Sequence, residues 1–231
     1  MISQEIYNYP IEFTAFLQSH ISDRKRALIE EKLKQRTRYL TVVLEDIHKS
    51  HNASAVLRTS ECFGIQDLHI IEKEHAYNLH PHISSGSARW LDLHHYNEPG
   101  TNNTEVCLSA LKAQGYRVLV TTLNDQARPF DEIEIDCKSA VVFGTEYSGV
   151  SDEAIAMADE VIHIPMVGFT ESLNLSVSAG IILQHYRRLL DNLKLPWQLS
   201  EKETESIRLN WTMNAVRKID LHIKHFLEDK A

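Results

Sequence analysis

IPMVGFTESLNLSVSAG, residues 164–180, is the stretch on which the fold turns. It is entered from an apolar run, EVIHIPM (160–166), that reads as a strand. Pro165 and Gly168 break that strand, because proline removes a ladder donor and glycine admits a sharp bend. Ser172 or Asn174 can then cap a long helix reaching about Asp191. Strand, polar turn and helix start thus follow one another within a few residues. The turn carries a carboxylate, hydroxyls and an amide, more polarity than capping requires. Two readings stand at this point. Either this is a well-capped core helix with a slim Ser-Ser-Ala-Gly face for close packing, or the polar groups and the free N–H groups of the helix start face an electron-rich ligand.

The same grammar recurs upstream. LTVVLE (40–45), DLHII (67–71), YRVLVTTL (116–123) and SAVVFG (139–144) read as strands, and WLDLHHY (90–96) alternates like a half-exposed one. Helices are expected over 51–63, closed by Gly64, over 104–114, capped by Thr104, and over 151–158, capped by Ser151. Strands alternating with helices predict an α/β domain whose mostly parallel sheet is covered by helices on both faces. Such sheets bind ligands at the carboxyl ends of their strands. Three polar or glycine-rich turns follow strands: HKSHN, GTEYSG and GFTESLN. They share one rim if their strands are parallel neighbours.

Outside this domain the chain is helical, over 11–20, 22–36 and 200–228. The expected division is an N-terminal extension over 1–38, the domain over 39–191 and a C-terminal extension over 192–231. Net charge is −8, distributed as −12 over residues 39–186 and +2 at each end. DRKRALIEEKLKQRTR (23–38) carries seven basic and three acidic residues. It reads as a solvated helix face or as an arm that tracks phosphates. No run approaches the ~18 apolar residues of a membrane span, and MISQEIYNYP lacks a secretory pattern. Cys62, Cys107 and Cys137 are odd in number and far apart, which predicts buried, reduced thiols and a cytoplasmic protein.

Each rim turn has its own candidates. In HKSHNASAVLRT (48–59), Asn52 suits an N-cap, and Arg58 points either to solvent or into a polar cleft, since a core-facing charge is costly. His48 and His51 lack a matching ligand set, so no metal is expected. GTEYSGVS (144–151) is neither a phosphate-binding GxxxxGK[ST] loop nor a GxSxG elbow. Glu146, a carboxylate between turn glycines, has no evident structural task.

Together and in this order, three segments resemble the SPOUT class of RNA methyltransferases, in the branch named after TrmH. These are the N-x-S-A-x-x-R-T segment from Asn52 to Thr59, the FG-x-E-x-x-G-V-S segment from Phe143 to Ser151, and the IPM…SLN-x-SV segment from Ile164 to Ser178. The resemblance spans roughly residues 38–190. It implies a deep trefoil knot, against the general rule that chains do not knot, a homodimer, and S-adenosylmethionine as cofactor. By motif position, Thr121, Gly144, Ile164, Met166 and Leu173 should line the cofactor pocket. The implied reaction is methyl transfer to a ribose 2′-hydroxyl, centred on Arg58 as base or as electrostatic stabiliser, with Asn52, Glu146, Ser172 and Asn174 orienting it and the RNA.

The resemblance further implies RNA contacts at Arg89, in SSGSARW (84–90), although an ordinary turn also explains that segment. It gives weight to Arg24, Lys25, Arg26, Lys34, Arg36 and Arg38 as phosphate contacts in helices that grip tRNA. Ser50 stands where proline is common, Tyr147 where lysine is frequent, and SLNLSVS varies SLNVSVA conservatively. The expected substrate is tRNA, at guanosine 18 of the D-loop. Ribosomal RNA with the same chemistry is the alternative enzyme reading, and a non-catalytic RNA-binding homologue is the alternative of another class.

Overall fold

A computed structural model describes residues 4–73, 86–146, 148–193 and 195–230. Their chain divides into two compact units, residues 37–197 and residues 1–36 with 198–231.

The larger unit is built on seven strands: β1 (Leu40–Glu45), β2 (Asp67–Ile71), β3 (Asp92–Tyr96), β4 (Arg117–Thr121), β5 (Arg128–Pro129), β6 (Ser139–Phe143) and β7 (Glu160–His163). They pair in the order β3-β2-β1-β6-β4-β7-β5, every pair parallel. Both faces are buried, which is why the central strands are continuous apolar runs. Side chains divide between the faces with a period of two. Leu40, Val42 and Leu44 of β1, Leu119 of β4 and Val141 and Phe143 of β6 join one core. Val43, Val118, Val120, Ala140 and Val142 join the other.

Helices α3 (Ser50–Cys62) and α6 (Leu175–Asn192) cover the first face, adding Val56, Leu57, Ile182, Leu183 and Tyr186. Helices α4 (Asn103–Ala113) and α5 (Asp152–Ala156) cover the second with Cys107, Leu108, Leu111 and Ala154. The turns after β1, β6 and β7 do lie on one rim, but β7 is not the neighbour of β6. Strand β4 lies between them and brings its own turn, Thr122 and Leu123, to that rim.

The two ends, expected as separate extensions, form a single unit. Helices α1 (Pro10–Gln18), α2 (Asp23–Leu33), α7 (Glu201–Ala215) and α8 (Ile219–Glu228) supply it. Phe13 and Leu17 pack with Leu209, Met213, Ile223 and Phe226 in its core. Ser200 and Glu203 form a capping box at the start of α7. Lys218, at φ 55°, breaks the stretch expected as continuous helix between α7 and α8.

Two expectations are corrected in detail. Asn102, not Thr104, caps α4, because the Thr104 hydroxyl is drawn to Glu45 at 2.6 Å. Of the thiols all three are free, but of them Cys107 alone is buried, Cys137 being half-buried and Cys62 exposed. Among the described residues no helix is long and apolar enough to cross a membrane.

Candidate active site

The carboxyl ends of β4, β6 and β7 open onto a cavity of about 520 Å³, within the usual range for small-molecule sites. Its walls are the turns the strands lead into. Thr121 ends β4 and Thr122 and Leu123 follow it, Gly144, Thr145, Glu146, Ser148 and Gly149 follow β6, and Ile164, Met166 and Ser172 to Leu175 follow β7. All five residues expected at a cofactor, Thr121, Gly144, Ile164, Met166 and Leu173, line it.

The turn after β6 owes its shape to two glycines. Thr145 and Gly149 exchange backbone hydrogen bonds of 2.8 and 3.2 Å, which folds the loop back on itself. A Cβ on Gly144 would fall inside 3.0 Å of the Gly149 carbonyl and the Val150 nitrogen, so no side chain fits. Gly149 adopts φ 69°, a left-handed conformation that glycine takes without strain. The loop ends at Ser151, whose hydroxyl caps α5.

Glu45, at the end of β1, ties this loop to the sheet. It is 2% exposed and accepts from the Ser151 nitrogen at 2.9 Å, the Ser151 hydroxyl at 2.7 Å and Thr104, with Lys73 Nζ at 3.0 Å. Burial pushes its carboxyl up, and the bonds from Thr104, Ser151 and Lys73 together reverse this, leaving it below the ordinary glutamate value.

Beside the cavity lies a small recess lined by His48, Lys49, Asn52, Thr145, Glu146 and Leu175 among others. Here the structure assembles three of the predicted groups. Glu146 Oε1 accepts from Asn52 Nδ2 at 2.5 Å and from Asn174 Nδ2 at 2.9 Å. Asn52 is 3% exposed and lies inside α3, whose N-cap is Lys49, so it is not the cap its position suggested. Asn174 does cap α6, accepting from the Ser176 nitrogen at 2.9 Å while its amide turns to Glu146. Lys49 pairs with Glu146 Oε2. The bond from Lys49, then Asn52 and the charge of His51, outweigh desolvation and hold Glu146 below its ordinary value.

A family model, the SpoU rRNA Methylase family, matches residues 39–184. The chain belongs to that family. It is 38% identical over 201 residues to a tRNA (guanosine(18)-2′-O)-methyltransferase of Borreliella burgdorferi, covering 87% of this chain and 90% of that protein. Among solved structures, the A. aeolicus TrmH/SpoU tRNA modifying enzyme superposes with a TM-score of 0.75 at 29% identity, over 85% of this chain and 98% of that one. The SpoU methyltransferase AviRb from Streptomyces viridochromogenes, in complex with AdoMet, shares the fold at a TM-score of 0.60 and 21% identity, over 71% and 65% of the two chains.

Within this SpoU-family frame the remaining candidates scatter. Ser172 is exposed at the cavity mouth. Arg58 is exposed on α3 and, among the described residues, has no hydrogen-bond or ionic partner. Arg89 lies exposed with its guanidinium 4.5 Å over the Trp90 ring. Arg24 and Lys34 are exposed, Lys25 donates to the Ala215 carbonyl, and Arg26 pairs with Asp23. Arg36 and Arg38 are corrected. Arg36 is 2% exposed and stacks on Trp211. Arg38 bridges Asp67 at 2.8 Å and Asp92 at 2.5 Å. A guanidinium held in such contacts is not offered to a phosphate.

Sequence reasoning passed over Lys49 and Glu45. The signal for Lys49 was present, a lysine in a rim turn, but the flanking histidines drew attention to metal binding. Among the described residues no group of His, Cys, Asp and Glu could hold a metal ion.

Proposed function

We propose that this protein is an S-adenosylmethionine-dependent ribose 2′-O-methyltransferase whose substrate is tRNA, at guanosine 18 of the D-loop. The observation that carries the reading is the junction of two features. A cavity walled by glycine turns and a helix start meets, at Thr145, Glu146 and Leu175, a recess where the Glu146 carboxylate is held by two amides. The relatives' names supply the substrate class.

The cavity fits the cofactor in size and in chemistry. Its turns bring Thr121, Thr122, Gly144, Thr145, Ser148 and Gly149 to the wall, and Ile164, Met166 and Leu173 offer apolar contact. When bound there, S-adenosylmethionine supplies an electrophilic methyl group on a sulfonium. The chain's task is then to orient a hydroxyl that is a poor nucleophile while it keeps its proton. Asn174, bonded to Glu146, and Ser172, in the cavity wall, would orient the ribose and its phosphate. The guanidinium of Arg58 is a permanent cation. Beside a phosphate and an incipient alkoxide it stabilises negative charge, whether or not it also takes the proton.

A homodimer belongs to the same reading. Leu173, Val177 and Ile181 form an exposed apolar stripe at i, i+4 spacing leading along α6, and Val167 and Phe169 stand fully exposed before it. A second copy would cover these side chains. The trefoil knot is part of the proposal and rests on membership of the SpoU family. The three free thiols suit a reducing, cytoplasmic setting.

The deciding experiment incubates the protein with methyl-labelled S-adenosylmethionine and unmodified tRNA or ribosomal RNA, then maps the label. Label on the ribose of guanosine 18 is expected. Label on ribosomal RNA alone would move the substrate, and no transfer to any RNA would leave the non-catalytic reading.

A further inference from the structure

Lys49 has no part in the reaction as set out above, yet it occupies a defined place at the rim. It is the N-cap residue of α3, in extended conformation, and its side chain makes no capping bond. Its ammonium is directed to Glu146 Oε2 instead. Oε1 of the same carboxylate receives both amides, Asn52 and Asn174. Glu146 is therefore gripped on two sides, by neutral donors on one oxygen and by a cation on the other.

The two grips do different work. Amides orient a carboxylate but bring no counter-charge. Without the ammonium on Oε2 the carboxylate would be free to turn, and the bonds that align the two amides on Oε1 would loosen. Asn174 would feel this most, because its Oδ1 already caps α6 and its Nδ2 has Glu146 as acceptor. The charged or titratable groups around Glu146 come from the turn and helix start after β1, namely His48, Lys49 and His51, while α6 offers the neutral Asn174. Lys49 brings the ammonium that contacts Oε2.

We propose that Lys49 is a positioning residue for methyl transfer: its ammonium, seated on Oε2, holds the Glu146 carboxylate in place and so sets the Asn52 and Asn174 amides towards the RNA. This rests on the activity proposed above.

The test compares Lys49→Met and Lys49→Arg with the unaltered full chain, each checked for folding by circular dichroism. First, the Glu146 side-chain carboxyl is titrated by carbon-13 NMR in glutamate-labelled protein, its signal assigned with Glu146→Gln. Lys49→Met should move the midpoint up by on the order of one pH unit, and Lys49→Arg should leave it near the original. Second, in methyl transfer Lys49→Met should lower kcat on the order of tenfold, with KM for RNA little changed and the acid limb of the pH profile moved upward. Lys49→Arg should restore both. An unmoved titration, an unmoved kcat, or a loss carried wholly by KM for RNA would each overturn the proposal, the last making Lys49 a phosphate contact. If the unaltered chain transfers no methyl group to any RNA, the enzyme reading fails, and the first measurement still judges the Lys49–Glu146 link.

Discussion

Arg58 leaves α3 on its open side and makes no hydrogen bond or ion pair among the described residues. A long cation left unpaired at the surface contributes little to stability. Arg58→Ala should therefore shift unfolding by no more than about 0.5 kcal/mol. It should leave S-adenosylmethionine binding by calorimetry unchanged and abolish labelled methyl transfer. Transfer persisting at the original rate would remove Arg58 from the chemistry. Glu45 is the opposite case, a charge buried at the end of β1 and satisfied by Thr104, Ser151 and Lys73. Glu45→Ala would strand those donors and should cost on the order of 3 kcal/mol in denaturant unfolding. The pH dependence has a definite sign. The folded carboxyl lies below its unfolded value of about 4.3. Its contribution is thus full above that value and is lost as pH falls through the lower folded value. The difference in stability between the unaltered chain and Glu45→Ala should narrow below about pH 4.

At the scale of elements, the turn after β6 is set by backbone rather than side chains. Gly144→Ala puts a methyl group against the Gly149 carbonyl and the Val150 nitrogen, and backbone cannot rotate aside as a flexible side chain can. The loop must open, and with it one wall of the cavity. Calorimetry should show S-adenosylmethionine affinity falling on the order of tenfold or more, while Gly180→Ala, where an added Cβ meets nothing, should bind normally. Equal binding by both variants would refute the account of the loop. The slim start of α6 suggested close packing against another helix or chain; within this chain Gly180 faces open space and Ala179 alone of the small residues is fully buried, which leaves the remainder of that face to the proposed second copy. What was legible was the strand-turn-helix grammar, because strands buried on both faces must be apolar throughout and their turns must carry the polar groups. Strand order was not legible. Nothing in GTEYSG or GFTESLN signals that β4 intervenes between β6 and β7, since crossovers of similar length reach either side. Lys49 was missed for a related reason: its partner lies 97 residues away, and no local pattern announces a pair so distant.

For the molecule as a whole, charge is divided by region, −12 over residues 39–186 and +2 at each end. The structure gathers both ends into one helical unit, so basic residues far apart in sequence belong to the same body. That joining was invisible in the sequence, because the helix faces of α1 and α7 show what they bury but not which partner buries it. The structure also thins the list of phosphate contacts. Arg36 and Arg38 are held internally, whereas Arg24 and Lys34 are exposed. Each phosphate contact releases counterions, so its removal weakens binding and flattens the salt dependence by about one unit of logarithmic slope. If Arg24 and Lys34 each meet a phosphate, Arg24→Ala with Lys34→Ala should weaken tRNA binding and lower that slope by about two. Filter binding across a salt series measures both quantities. Cofactor affinity should be unchanged, because the cavity lies within residues 121–182. The slope is the more telling number, since partial unfolding of the helical unit would weaken binding too. Weaker binding with an unaltered slope would mean that this unit acts through its shape, and that the phosphate contacts lie elsewhere.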